Sequence, residues 1–438
     1  MDFLDKLVIL QSGDNLNLLF YTLILAYIIL IPFLGIVSGA SLLSIYFNRK
    51  GRKNGNKSYL NFSKDLIENA LFSKSTIFTF GFVPILSILF SYIQLFHQLN
   101  NSISTWTFIA LLVNLIALIL LYIYKYTFQL DEIIKPVETT DEVEIFKKRN
   151  FTLHKKSGLW GIIFLYASVL ILIGCIEFTY GRIYLDPKEN FFLSMFSVSV
   201  INKFLLFIAL SFALASAGAL FYSNKKLKET DQPENEYSKF IERFSLTSGI
   251  ISVLALPVFV LIHLLKVPQL SLSGTAFSIS LIIILLLLLS AHFYYLMIKE
   301  KHRLYVNHIL YIVLITSVLL VVQDVNGFKT SSQKQVVTLS AKFDKMLAGV
   351  AEKSGKGPKI DGKEIYDGRC AACHRFDQKL VGPAYKDVLP KYANKKNELI
   401  NFIVNPVKVN PLFPPMPNQG LNVKQAEAVA EYILKTYK

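Results

Sequence analysis

Eight long apolar runs constrain this chain more than any other feature. They cover roughly 18–47, 76–97, 104–126, 158–180, 196–223, 244–265, 272–298 and 304–323. A hydrocarbon layer about 30 Å thick is crossed by about 20 apolar residues in a helix. Lipid offers no partner for a free N–H or C=O, so each run must be helical. The expectation is an all-α protein with an eight-helix transmembrane domain over residues 1–323. Composition agrees: 53% of residues are hydrophobic and only 18% are charged, below the quarter usual in soluble domains. The net charge of +15 lies in short segments between the runs. That is the pattern of membrane topology rather than of a nucleic-acid surface. Membrane lipid is an expected partner and nucleic acid is not.

Lysine and arginine set an expected orientation. "NRKGRKNGNK" follows the first run. Lys147, Lys148, Arg149, Lys155 and Lys156 follow the third, Lys225, Lys226 and Lys228 the fifth, and "KEKHR" the seventh. The alternate loops are poor in charge: "QLNNSIS" has none and "LKVPQLS" only Lys266. Basic loops stay cytoplasmic, so the chain is expected in a bacterial cytoplasmic membrane with both termini on the outer, periplasmic side.

The runs carry a faint internal repeat. The first and fifth end alike, in "SGASLLSIYFNRK" and "SAGALFYSNKK". Each is followed by a run with an internal Pro (Pro84, Pro257) that ends near a His (His97, His263). The fourth run of each set ends in an acid, in "CIEFTYG" and "VQDVNG". Two four-helix repeats in parallel are the reading, since membrane carriers often grow by duplication.

After Asp324 the composition turns polar. Residues 324–359 are expected to be a linker, with a short helix at 341–352. Residues 360–438 are of a size that usually needs a staple. They contain "GRCAACHRF", and C-x-x-C-H is a covalent haem-attachment pattern. Cys370 and Cys373 would hold one haem c, and the adjacent His374 would be its proximal ligand. A thioredoxin-like pair or half a zinc site is the competing reading of the cysteines, and the adjacent His argues against it. The Pro383 carbonyl in "VGPAY" is placed to accept the other ring N–H of His374. Met416, in "FPPMPNQG", is the only Met after the motif. Pro414, Pro415 and Pro417 would stiffen its loop. Its thioether would be the second axial ligand, although Met also fills core gaps. His/Met ligation suits electron carriage rather than oxygen binding. The tail "NVKQAEAVAEYILKTY" reads as an amphipathic helix capped by Asn422, with Tyr432 packed on Gly362 and Tyr366.

In "GKEIYDGRCAACH", "GPAY", "PMPNQ" and the final helix, this module resembles class I c-type cytochromes. The resemblance implies a small α-helical cytochrome c domain over 360–438.

Inside the membrane body the chemistry is sparser. His97 and His263, equivalent in the repeat, would together hold a haem b, or each would sit in the headgroup region. His292 and His308 would face each other or join a basic rim. His154 is expected to be solvated, and Cys175 to be an inert core thiol. Glu177, in "LIGCIEFTYG", is an acid at membrane depth and a candidate proton acceptor in quinol oxidation, or else exposed to water. Asn114 reads as a helix–helix hydrogen bond.

In helix count, outer termini and duplicated bundle, the body is similar to subunit I of cytochrome bd quinol oxidases. It departs from that family in having no His in the first helix and a short loop between the sixth and seventh. No ligand or quinol residue is carried over. The functional expectation is a membrane-bound respiratory electron carrier. Electrons would pass from the quinone pool or a partner subunit to haem c, and on to a soluble cytochrome or another respiratory subunit. It would be part of a quinol–cytochrome c oxidoreductase or a bd-like oxidase complex. The alternative is a non-catalytic anchor for one cytochrome c domain. Lys363, Lys379, Lys386, Lys391, Lys395 and Lys396 would steer acidic partners to that domain.

Overall fold

The computed structural model describes residues 8–96, 102–134, 140–179, 191–230, 236–267, 273–300, 303–353, 360–411 and 413–437. They fall into two units, Met1–Phe343 and Asp344–Lys438. Among the described residues no strand forms, and an isolated bridge pairs His374 with Lys379. The all-α expectation holds.

Eight helices among the described residues are long and apolar enough to cross a membrane. They are α1 (Gly13–Asn54), α3 (Lys74–Phe96), α4 (Ser102–Ile134), α5 (Asp141–Thr179), α6 (Val198–Thr230), α7 (Glu236–Lys266), α8 (Gly274–Glu300) and α9 (Val306–Lys353). Helix α1 starts before its apolar run because the Ser12 side chain accepts the Asn15 N–H, a side-chain N-cap. It ends at Gly55, whose φ of +63° is the left-handed turn that glycine takes without strain. Between α1 and α3 lies α2 (Lys57–Ala70). Its Phe62, Leu66 and Ala70 join Phe47 of α1 and Ile241 of α7 in one buried cluster.

Helix α3 is not regular throughout. Residues Phe78–Phe82 form a π turn just before Pro84. A proline removes a ladder donor, and a neighbouring helix often supplies a substitute partner in a membrane. Here Asn114 of α4 donates its side-chain amide to the Gly81 carbonyl at 2.9 Å, as expected for a polar residue in the middle of a span.

Buried apolar residues divide into separate cores. One draws mainly on α1, α3, α4 and α5; another draws on α6, α7, α8 and α9. That division matches two four-helix sets. The sets meet where α1 crosses α6. Ser38, Gly39, Ala40 and Ser41 on one side and Ser211, Ala215 and Ser216 on the other are all buried. A β-carbon on Gly39 would fall onto the Ser211 carbonyl and within 2.9 Å of Ala215 Cβ. Small residues let membrane helices approach this closely. The small residues of the α1 stretch therefore pack on the turn of α6 around Ser211 and Ala215.

The linker expectation is corrected over most of its length. Helix α9 continues through the polar stretch to Lys353; residues 354–359 lie outside the described residues. The periodicity there is easily missed because the inward face mixes polar and apolar side chains. Phe328, Ser331, Ser332, Gln335 and Leu339 are buried. The Phe328 ring packs 5.2 Å from Phe20 and 5.5 Å from Phe96, and Ser331 donates to the Thr179 carbonyl at 3.0 Å.

In the second unit, the short helix α10 (Gly362–Ile365) runs into a π turn, Tyr366–Cys370. Helices α11 (Lys396–Val404) and α12 (Val423–Tyr437) complete the core. Asn422 caps α12 reciprocally: its Oδ1 accepts the Gln425 N–H at 2.9 Å, and Gln425 Oε1 accepts the Asn422 N–H at 3.1 Å, a capping box. Tyr432 of α12 lies over Gly362 and 5.6 Å from the Tyr366 ring.

Candidate functional site

The membrane unit gathers ionisable side chains from four helices. Lys203 of α6 stands 2.6 Å from Glu177 of α5 and 2.8 Å from Asp324 of α9. His263 of α7 presents Nε2 to the same Asp324 oxygen at 3.7 Å. The Lys203 and Glu177 side chains are 7% and 6% exposed, so Glu177 is not simply open to water. Charges at such depth persist only when paired, and Lys203 supplies the pairing.

Lys203, His263 and Asp324 line an apolar cavity together with Tyr27, Tyr92 and Phe207. The Tyr27 and Tyr92 hydroxyls are 2.9 Å apart. An apolar space with a few convergent polar groups is the usual form of a small-molecule site.

Sequence reasoning singled out Glu177 and His263 and missed Lys203, Tyr27 and Tyr92. The available signal was one lysine inside an otherwise apolar run, in "VINKFLLF". His97 lies outside the described residues. His263 turns Nε2 to the Asp324 carboxylate at 3.7 Å and lines the same cavity. His292 and His308 are exposed; Phe293 packs against both rings, at 6.4 and 5.8 Å. His154 is corrected from solvated to buried: it is 5% exposed, because α5 begins at Asp141 and carries it into the bundle. Cys175 is buried, within 3.5 Å of Thr107 Oγ1.

In the second unit, Cys370, Cys373, His374 and Met416 line one cavity. The π turn positions Cys370, and the chain then coils so that the His374 N–H reaches the Cys370 carbonyl at 2.9 Å. His374 Nδ1 lies 3.0 Å from the Pro383 carbonyl. As a donor there, it leaves Nε2 as the ring's ligating nitrogen, the arrangement that orients ligand histidines. Gly382 makes room for that contact, since a β-carbon would press into the imidazole, 2.7 Å from Nδ1. The Tyr366 hydroxyl donates to the His374 carbonyl at 3.2 Å, and the Tyr385 ring stacks on the imidazole with centroids 5.1 Å apart. Burial pushes the Cys370 thiol up, and the Tyr385 phenol likewise. Arg369 donates to the Gln419 carbonyl at 2.7 Å and fastens the Met416 loop. Two free thiols, an oriented imidazole and a thioether around one cavity are the donor set that a covalent haem requires. These residues fit it.

Of the lysines expected to steer partners, Lys395 pairs with Glu398 at 2.9 Å and Lys396 with Glu427 at 3.2 Å. Lys379 and Lys391 lie over the rings of Phe413 and Tyr392.

Residues 360–436 match the family model described as cytochrome c. The chain is 35% identical over 80 residues to cytochrome c-551 of Pseudomonas denitrificans, covering 17% of this chain and 94% of that protein. It is 36% identical over 69 residues to cytochrome c-552 of Hydrogenobacter thermophilus, covering 15% and 69%. It is 33% identical over 78 residues to cytochrome c-551 of Azotobacter vinelandii, covering 17% and 94%. No solved structure gives a significant match to the chain. A cytochrome c domain implies covalently bound haem c, electron transfer and a redox partner protein. The chain is thus a multi-pass membrane protein that belongs, through its C-terminal domain, to the cytochrome c family.

Proposed function

We propose that this protein is a membrane-bound respiratory electron carrier. It would take electrons from the quinone pool or a partner subunit and deliver them through haem c to a soluble cytochrome or a neighbouring complex. The observation that supports this reading is the Lys203, Glu177, Asp324 and His263 cluster, of which Lys203, Asp324 and His263 line an apolar cavity. Oxidising a quinol releases two electrons and two protons. The protons need an acceptor where the headgroup sits, and Asp324 and His263 line that space. Glu177, Asp324 and His263 are the groups able to take a proton, and Lys203 holds the two carboxylates in place. Hydrogen-bonding groups for a ring hydroxyl stand nearby in Tyr27 and Tyr92.

Cys370 and Cys373 would hold the haem covalently, with His374 and Met416 as axial ligands and the Pro383 carbonyl orienting His374. Haem c, when bound, stores one electron at a time, so each quinol needs two deliveries to a one-electron acceptor protein. The alternation of basic loops supports an outer, periplasmic position for the cytochrome c domain and both termini. The proposal draws nothing from the resemblance to cytochrome bd subunit I.

The test is anaerobic mixing of the purified full-length protein with a short-chain quinol. Growth of the reduced haem c band supports the proposal; its absence leaves the anchor reading. A c:b haem ratio from the same sample shows whether His97 and His263 hold a haem b.

A further inference from the structure

A second cavity, of about 460 Å³, opens where the C-terminal part of α1 meets α4 and α5. Its wall includes Asn48, Arg49 and Arg52 of α1 and His154 and Lys155 of α5. It shares no residue with the cluster around Lys203. Three cations on one wall favour an anion, and the details narrow its chemistry.

Arg52 is held in place. Its Nε donates to Asn48 Oδ1 at 2.9 Å, and its guanidinium lies 4.8 Å from the centre of the Phe151 ring. Nε is thereby engaged, and the outer nitrogens of the fork stay available for a planar or tetrahedral oxyanion. The same bond fixes the Asn48 amide so that Nδ2 is the free end. Asn48 is 4% exposed, and Nδ2 is buried with no hydrogen-bond partner among the described residues.

His154 adds a third constraint. Its ring is wedged between Tyr124 and Phe128, at 4.4 and 4.6 Å. Nδ1 lies 2.7 Å from Thr127 Oγ1. Thr127 has one hydroxyl proton and gives it to the Tyr124 carbonyl at 2.5 Å. Nδ1–H must then donate to Thr127, so Nε2 of the neutral ring is an acceptor. Nε2 is buried and has no partner among the described residues. Buried polar atoms are rarely left this way.

We propose that this cavity binds a phosphate group accompanied by a hydroxyl or a protonated oxygen. Arg49, Arg52, Lys155 and Asn48 Nδ2 take the charged oxygens, and His154 Nε2 accepts the hydroxyl. An anionic phospholipid headgroup and free inorganic phosphate both carry this chemistry. The position, on a membrane-spanning bundle beside exposed Phe151 and Leu153, favours the lipid.

The experiment uses the full-length protein in detergent and native mass spectrometry with phosphatidylglycerol, phosphatidylcholine or sodium phosphate. Phosphatidylglycerol retained about tenfold better than phosphatidylcholine, and not displaced by millimolar phosphate, identifies the lipid. Binding of phosphate itself, or displacement by it, identifies the free anion; both outcomes support the proposal. Arg49→Gln with Arg52→Gln, both at exposed positions, should remove the preference, and His154→Asn should weaken it. Equal retention of the two lipids with no phosphate binding overturns the proposal. So does a preference unchanged in the double arginine variant.

Discussion

Glu177 and Asp324 share one lysine. Their carboxylates lie 2.6 and 2.8 Å from Lys203 Nζ. Glu177 lies near the end of α5 and Asp324 inside α9, and packing of these helices on α6 brings the two acids to one point. Both would repel each other across a low-dielectric interior without the ammonium between them.

Lys203→Met should therefore be costly. Breaking a buried ion pair from one side typically costs about 3–5 kcal/mol. Thermal unfolding of the purified protein in detergent should show a large drop. Adding Glu177→Gln should recover part of it, because one uncompensated charge is then removed. Additive losses would mean that the two residues do not interact.

The crossing of α1 and α6 gives a second prediction. Gly39→Leu places a side chain against the Ser211 carbonyl and Ala215. Overpacking costs about 1–3 kcal/mol, occasionally more, and here it would push the two four-helix sets apart. Gly218→Leu is the control, since a β-carbon there meets nothing within 4 Å. Unfolding temperature should fall in the first variant and hold in the second.

The π turn of α3 gives a third. Asn114→Leu leaves the Gly81 carbonyl without its side-chain donor. Interhelical hydrogen bonds in membranes average about 0.6 kcal/mol with a maximum near 1.7. A small loss of stability is expected, with haem c content unchanged. A loss of several kcal/mol would show that the amide does more than partner one carbonyl.

In the cytochrome c domain, Met416→Ala should open one axial position. The reduced variant should then bind carbon monoxide, seen as a shifted Soret band, while the parent protein does not. Binding by the parent would remove Met416 as a ligand.

Much of this structure was legible in the sequence, for identifiable reasons. Membrane helices declare themselves because lipid enforces length and polarity. The Cys370–His374 motif declares itself because covalent attachment fixes the spacing. Pro383 and Asn422 could be placed because they act a few residues from their partners. Lys203 was hidden by the opposite circumstance. Its partners lie 26 and 121 positions away, by subtraction from Glu177 and Asp324, and only packing of α5, α6 and α9 joins them. The extension of α9 was hidden because its buried face includes Ser331, Ser332 and Gln335. His154 looked solvated because its neighbours in sequence are lysines; its neighbours in space are Tyr124, Thr127 and Phe128.

The central claim is that the buried cluster accepts protons as electrons pass to haem c. The most direct measurement is stopped-flow reduction of haem c by a short-chain quinol, comparing the parent protein with Glu177→Gln. Dithionite serves as a control that bypasses the membrane unit. Quinol-driven reduction should slow at least about tenfold, the low edge of what a positioned proton acceptor contributes, while dithionite reduction stays the same. Equal quinol rates in the two proteins would contradict the account.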